Sequence, residues 1–294
     1  MRPSLLKIET KKEKSFSIRY GVIPAFKSVW HYHPEVELHY VVKGDGISII
    51  ADSVRNFSAG ELIFLGENLP HCWRPSKEYC VEEDALDVEA IVLQFLPDCL
   101  GRYLINLPEA CLLPKLFEKA RAGMLINGTD KVRIVALMQR LLNEDGLSCI
   151  ITLMEILKEL SETAQYHQIA FSKNALYRCT EEESKRFNDI CHHTLKHFKR
   201  EVSLREIASV GNLSTASFCR YFKLMTNKNY SQFITQIRIS HACKLIIEDR
   251  LSTPAICFES GFYNLSNFYR HFKKHTGMTP LVYKTTYTQR RRAS

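Results

Sequence analysis

The sequence predicts a multidomain α+β chain: an N-terminal β-sandwich or barrel, a helical connector and an all-α C-terminal part. Three observations predict it. Eight of the ten prolines lie at or before Pro114, and none falls between Pro114 and Pro254. Up to Pro114 the apolar residues come in short β-branched and aromatic runs, and after it they recur at helical spacing. Near the C-terminus a ten-residue segment repeats fifty residues later.

Composition sets the outer limits. At about 100–200 residues per domain, 294 residues suit two domains, and 45% apolar with 24% charged residues excludes a disordered chain. No run approaches 18 apolar residues, so no membrane partner is expected. The start, Met1 to Lys7, lacks the apolar stretch of a secretory leader. Ten cysteines are scattered without a CxxC, Cys72 and Cys80 being the nearest pair, as in a reduced cytoplasmic protein. The charge is uneven. From Glu181 onward there are 19 Lys/Arg against 9 Asp/Glu, and before it 21 against 23. That asymmetry points the C-terminal part at a polyanion.

In the front part, Val36–Val42 and Ile47–Ile50 read as strands around the turn Lys43-Gly44-Asp45-Gly46, with further strands at Glu61–Leu65 and Glu89–Phe95. Short strands at this density suggest a small sandwich or barrel over residues 1–114. Residues 115–180 read as a helical connector with helices over Lys115–Ile126, Asp130–Asn143 and Ser148–Tyr166. In the last helix Ile150, Leu153, Leu157, Leu160 and Ala164 repeat by three and four, which suits either core packing or a dimer seam. The polar stretch Ser172–Thr180 reads as a linker.

The remainder, residues 181–294, carries the repeat. Ser217–Thr226 and Asn267–Thr276 share Phe, Arg, Phe, Lys and Thr in register. The aromatics fall at i and i+4 on one helical face and the Arg on another. Ser214 and Asn264 stand at N-cap positions, and Asn227 and Gly277 at left-handed C-terminal positions. A short helix precedes each: one opens with the capping box Ser203-Leu204-Arg205-Glu206 and runs to Gly211, the other opens with Thr253-Pro254 and runs to Gly261. These are two helix-turn-helix units, at about 203–226 and 253–276. Between them Tyr230–Leu251 has no Gly or Pro and reads as one helix of about 30 Å, near the 34 Å between successive major-groove faces.

With Arg238-Ile239-Ser240-His241-Ala242 in the connecting helix and Gly261-Phe262, Gly277-Met278-Thr279-Pro280 and Tyr283 beyond it, Glu183–Thr286 resembles the DNA-binding domain of AraC/XylS-type transcriptional regulators. The resemblance implies a bipartite reader of double-stranded operator or promoter DNA joined to a sensing domain. By position it implies base-facing residues Thr215, Ala216, Cys219 and Arg220 in the first unit. In the second it implies Leu265, Ser266, Asn267, Tyr269 and Arg270.

In the front domain, His31, His33, Glu37 and Gly44 have the spacing HxHx₃Ex₆G, and Pro70-His71 follows Gly60–Gly66. Imidazoles with one carboxylate suit zinc, iron or manganese. These motifs resemble the cupin barrel, a double-stranded β-helix that is the usual sensor of such regulators. Ala25, Gly66, Asn68 and Pro75 depart from its pattern. His31, His33, Glu37 and His71 are therefore read either as ligands of a divalent metal or as the wall of a metal-free effector pocket, and no cofactor is taken as required. His193 and His197, also at i and i+4, read as a solvated face.

The expected function is sequence-specific transcription regulation, with no catalytic residues, controlled by a small-molecule effector in the cupin domain. The expected partners are DNA, the effector, a second copy in a homodimer, and RNA polymerase if the protein activates. The alternative is a cupin metalloenzyme of dioxygenase type carrying an accessory DNA-binding domain.

Overall fold

The computed structural model describes residues 15–23, 29–76, 87–170 and 181–292. The expected linker Ser172–Thr180, the start Met1 to Lys7, Cys80 and the motif position Ala25 lie outside these residues. The chain divides into two compact units, Met1–Lys185 and Arg186–Ser294.

Among the described residues the first unit has nine strands: β1 (Phe16–Ile23), β2 (Val36–Lys43), β3 (Asp45–Ile50), β4 (Ser53–Ser58), β5 (Leu62–Leu65), β6 (His71–Pro75), β7 (Val88–Phe95), β8 (Met124–Ile126) and β9 (Tyr166–Gln168). The expected barrel is built as two antiparallel sheets, ordered β1-β7-β2-β5-β8-β9 and β4-β3-β6. Side chains alternate across a strand, so β2 serves two interiors. Val41 packs with Ile63, Leu65 and Val88 against Ile50, Phe57 and Trp73 of the smaller sheet. Leu38, on the other face with Leu62, Phe64 and Leu93, is covered by helices.

Those helices follow the single turn α1 (Arg102–Ile105) in the chain and are α2 (Leu113–Ala120), α3 (Gly128–Leu141) and α4 (Gly146–Glu162). Leu116, Met138, Leu153, Leu157 and Leu160 share one core with the larger sheet, so residues 115–162 are continuous with the unit they were expected to lead away from. Two boundaries need correction. Met124–Ile126 and Tyr166 were expected in helices but are strands. Helix α2 ends at Ala120, Gly123 turns the chain at φ +67°, and Met124-Leu125-Ile126 then pairs with the free edge of β5. Three apolar residues are too few for periodicity to tell helix from strand. The stripe on α4 is also resolved: Leu153, Leu157 and Leu160 lie in the core, while Ala164 lies beyond the helix and is exposed.

The second unit contains α5 (Glu181–His197), α6 (Leu204–Val210), α7 (Thr215–Thr226), α8 (Tyr230–Glu248), α9 (Thr253–Glu259), α10 (Leu265–Thr276) and α11 (Pro280–Arg292). Both helix-turn-helix units are present, α6/α7 and α9/α10. Their turns close alike: Leu213 N–H donates to Ala208 and Phe262 N–H to Cys257. This is the six-to-one bond that satisfies a helix C-terminus. The left-handed residue is Asn212 in one (φ 52°) and Gly261 in the other (φ 78°), so the expected Gly211 is not the pivot. From there Thr215 is three residues on and Leu265 four, which makes the second turn one residue longer.

Helix α8 ends at Glu248, three residues short of the expected Leu251, with Asp249 (φ 56°) as its left-handed C-cap. Its first half packs Phe233 against Phe222 and Phe187, and its second half packs Ile239, Ala242 and Ile246 with Phe268 and Phe272. One helix thus carries both helix-turn-helix units. Helix α9 opens with Thr253-Pro254 as expected, behind the N-cap Ser252. Ser203 accepts from Glu206 N–H as expected, but the Glu206 carboxylate turns to Arg200 and His193 instead of closing the box.

Candidate functional site

Among the described residues, two places bring chemistry together. The first is the pair of exposed faces on α7 and α10. Phe218, Phe222, Phe268 and Phe272 are all buried to 0% exposure and pin the inner face of each helix. The period of 3.6 then turns Thr215, Ala216, Cys219 and Arg220 outward on α7, and Leu265, Ser266, Asn267, Tyr269 and Arg270 outward on α10. All nine are exposed. Ser214 and Asn264 cap the helices through the N–H groups of Ser217 and Asn267. Arg270 Nη2 donates to Asn267 Oδ1 at 2.8 Å, holding the guanidinium over the first turn. Asn264, Ser266, Asn267 and Arg270 line a shallow concavity of about 450 Å³. Exposed Lys223, Lys273 and Lys274 flank these faces. The surface is therefore a pair of helix starts with donors and small apolar groups outward and cations alongside, the arrangement that major-groove reading requires. Tyr263, 66% exposed in the longer turn, was not foreseen; the offset between the two repeats, 49 residues at the turn and 50 in the helix, is its sequence signal.

The second place is inside the first unit. His31 and His71 form a backbone bridge, His33 and Glu37 are buried beside them, and the four residues each bring one ligand atom to within 4.8 Å of the others. Sequence reasoning picked this quartet, and the fold assembles it. His31 Nδ1 donates to the Val29 carbonyl (2.6 Å), His33 Nδ1 to Glu35 (2.9 Å) and His71 Nδ1 to Leu69 (2.7 Å). Each ring thereby turns its Nε2 inward. Glu37 Oε2 accepts from His33 Nε2 at 3.2 Å and from Gln94 Nε2 at 2.6 Å, and Oε1 accepts from His39 Nδ1 at 3.1 Å. His71 Nε2 lies 3.7 Å from Oε2 and is buried without a hydrogen-bond partner.

Charge follows from this arrangement. Burial resists a charge on Glu37, but donors from His33 and His39 hold its carboxyl well below the usual range. Burial likewise opposes a charge on His33, and Glu37 outweighs it, raising the imidazole. Burial beside His71 pushes His31 down to about 3, so that ring is neutral. The residues fit a divalent transition metal. Backbone carbonyls fix the three imidazoles through their other nitrogen, as ligand shells do, and one inward nitrogen is an orphan that a cation would satisfy. His39 and Gln94 were missed. Gln94 reaches Glu37 only through the β2–β7 register, which pairs them across 57 residues of sequence.

A double helix-turn-helix with two exposed reading faces, preceded by a β-sheet unit with a polar interior, defines a DNA-binding transcription regulator with an N-terminal ligand-binding domain. Family models agree on both parts: an AraC-like ligand binding domain matches residues 23–160 and a helix-turn-helix domain matches 207–286. The chain is 23% identical over 263 residues to the HTH-type transcriptional regulator YdeC of Bacillus subtilis, covering 86% of this chain and 85% of that one. It is 22% identical over 264 residues to the transcriptional activator RhaR of an Enterobacter species, covering 86% of each. Among solved structures, ToxT of Vibrio cholerae aligns over 94% of this chain and all of its own at 14% identity, with a TM-score of 0.36. The chain belongs to the AraC family of transcription regulators. The metalloenzyme alternative finds no support, since these relatives are named as regulators.

Proposed function

We propose that the regulator reads its operator through Thr215, Ala216, Cys219 and Arg220 on α7 and through Leu265, Ser266, Asn267, Tyr269 and Arg270 on α10. The observation that carries this is the simultaneous exposure of all nine on helices whose opposite faces are fully buried. Arg and Asn supply bidentate base contacts, and Thr215, Ala216 and Leu265 supply apolar contact to thymine methyls. Lysines alongside contact phosphates and make binding salt-dependent. Selection from a random DNA pool, with wild type and with Arg220→Ala and Arg270→Ala, tests it: each variant loses preference at its own positions only.

The interior of the first unit is the sensory site in this reading, and His31, His33, Glu37 and His71 hold a divalent metal of the zinc, iron or manganese class there. Bound at this site, the metal supplies a positive centre to which an oxygen- or nitrogen-bearing effector attaches. An effector acts only through unequal affinity for the two states of the protein. Elemental analysis of protein purified without a chelating tag tests the metal, and His33→Ala with His71→Ala loses it.

The active species is a homodimer. Leu147, Ile151 and Met154 are 71%, 52% and 45% exposed at i, i+4 and i+7 on α4, beside an apolar hollow of about 540 Å³ lined by Leu104, Leu107 and Leu112. A second copy covering this stripe would link two readers and raise affinity without new DNA contacts. One relative is named an activator; in that role this protein would take RNA polymerase as a further partner.

A further inference from the structure

We infer that Gln94 is a fifth donor to the metal, through an amide that turns over when the cation enters. The inference rests on the reading of the quartet as a metal site. Gln94 stands on β7 directly opposite Glu37 and is 1% exposed. Its Nε2 sits 2.6 Å from the Glu37 oxygen that faces His33 and His71, and 3.5 Å from His33 Nε2, so the amide lies at the edge of the donor cluster. Its Oε1 is buried without a hydrogen-bond partner. A buried acceptor left unmet forfeits the hydrogen bond it would make in water, so this half of the amide is held at a loss.

Without a cation the arrangement has a reason. Glu37 is a buried carboxylate, and the Gln94 N–H group is one of its donors. A divalent ion held by Glu37 and the three imidazoles would reverse that preference, because the Gln94 N–H would then face a positive charge. Half a turn about the last side-chain bond exchanges Nε2 and Oε1 with no change of shape. The exchange brings the orphaned oxygen to the ion and satisfies it. Glu37 keeps its His39 donor on Oε1 throughout. Three imidazoles, a carboxylate and an amide oxygen make a five-donor set, which suits iron, manganese or cobalt better than the four donors of a structural zinc site.

The test uses the full chain loaded with Co²⁺, whose visible absorption strengthens several-fold when its coordination falls from five to four. Wild type is expected to show the weaker band and Gln94→Leu the stronger one, with Co²⁺ affinity about 10–100-fold lower. Gln94→Glu separates a ligand from a group that only steadies Glu37. A ligand role keeps or raises Co²⁺ affinity and keeps the weak band. A steadying role lowers affinity, since two carboxylates would then face each other. Identical spectra for wild type and Gln94→Leu, or weaker binding by Gln94→Glu, overturns the inference while leaving the metal site standing. Failure of wild type to bind Co²⁺ or Zn²⁺ at all overturns both. Thermal melts of the metal-free variants show whether each is folded.

Discussion

Arg238 donates its Nε hydrogen to the carbonyl oxygen of Phe198, 2.8 Å away, and its Nη2 to the carbonyl of Arg200 at the same distance. One side chain of α8 thereby ties down the backbone that follows α5, which helix termini otherwise leave unsatisfied. The same carbonyl of Phe198 receives the turn of the second reading unit: a Cβ on Gly261 would fall 2.5 Å from it and 3.0 Å from Arg238 Nε.

Gly261→Ala should therefore destabilise the protein well beyond a simple backbone effect. It combines a φ of +78° with a clash against backbone, and about 2–4 kcal/mol is expected. Gly277→Ala, with a φ of +73° but open space around it, should cost only about 1 kcal/mol. Denaturant midpoints of the two variants check this, and equal losses would contradict the contact with Phe198.

His241 lies in the middle of α8 with its ring against Phe198, and neither ring nitrogen has a hydrogen-bond partner. Burial, reinforced by Lys199 and Lys244, pushes it down to about 4. The unfolded chain takes up the proton near pH 6.5 and the folded chain does not, so stability falls as pH drops from about 6.5 to about 4. Between pH 7 and pH 5 the loss should be about 2 kcal/mol. His241→Leu should remove that dependence and keep the fold, as shown by urea melts at the two pH values.

Arg270→Ala should weaken specific DNA binding by about 1–3 kcal/mol, the worth of one good base contact. Its melting temperature should match wild type, because the guanidinium is exposed and bonds only to exposed Asn267. Titration against the selected operator at fixed salt, together with a thermal melt, measures both halves.

Ile151→Glu should turn a dimer into a monomer without unfolding the first unit. Ile151 is 52% exposed, whereas its neighbours Leu153 and Leu157 belong to the core. Sedimentation at micromolar concentration reads the change. Leu153→Ala is the contrast: it should lower stability by about 2–5 kcal/mol through a cavity.

What could be read from residues alone was local. Ser203, Ser214 and Asn264 cap helices because their side chains reach an N–H three residues on, whatever surrounds them. Asn227 takes the left-handed turn at φ 53° because its short amide tolerates it. The repeated Phe-x-x-x-Phe face and the outward Arg follow from helical period. The quartet was legible in part because His31, His33 and Glu37 lie within seven residues of one another.

The rest needed partners far along the chain. β2 is buried on both faces, so nothing in its own alternation shows which face meets helices and which meets the donor cluster. Met124–Ile126 becomes a strand only because β5 offers an open edge. Leu153 and Leu147 sit on one helix and are equally apolar, and the sheet beneath decides which is core. Gln94 and His39 join Glu37 through strand register and packing, contacts that carry no local signature. Sequence by itself determined the helix-turn-helix pair and which residues of its second helices face outward, since caps, turns and period act over a few residues. Tertiary structure alone decided the donor cluster's outer members and the exposed stripe of α4, since burial and register depend on residues that meet only after folding.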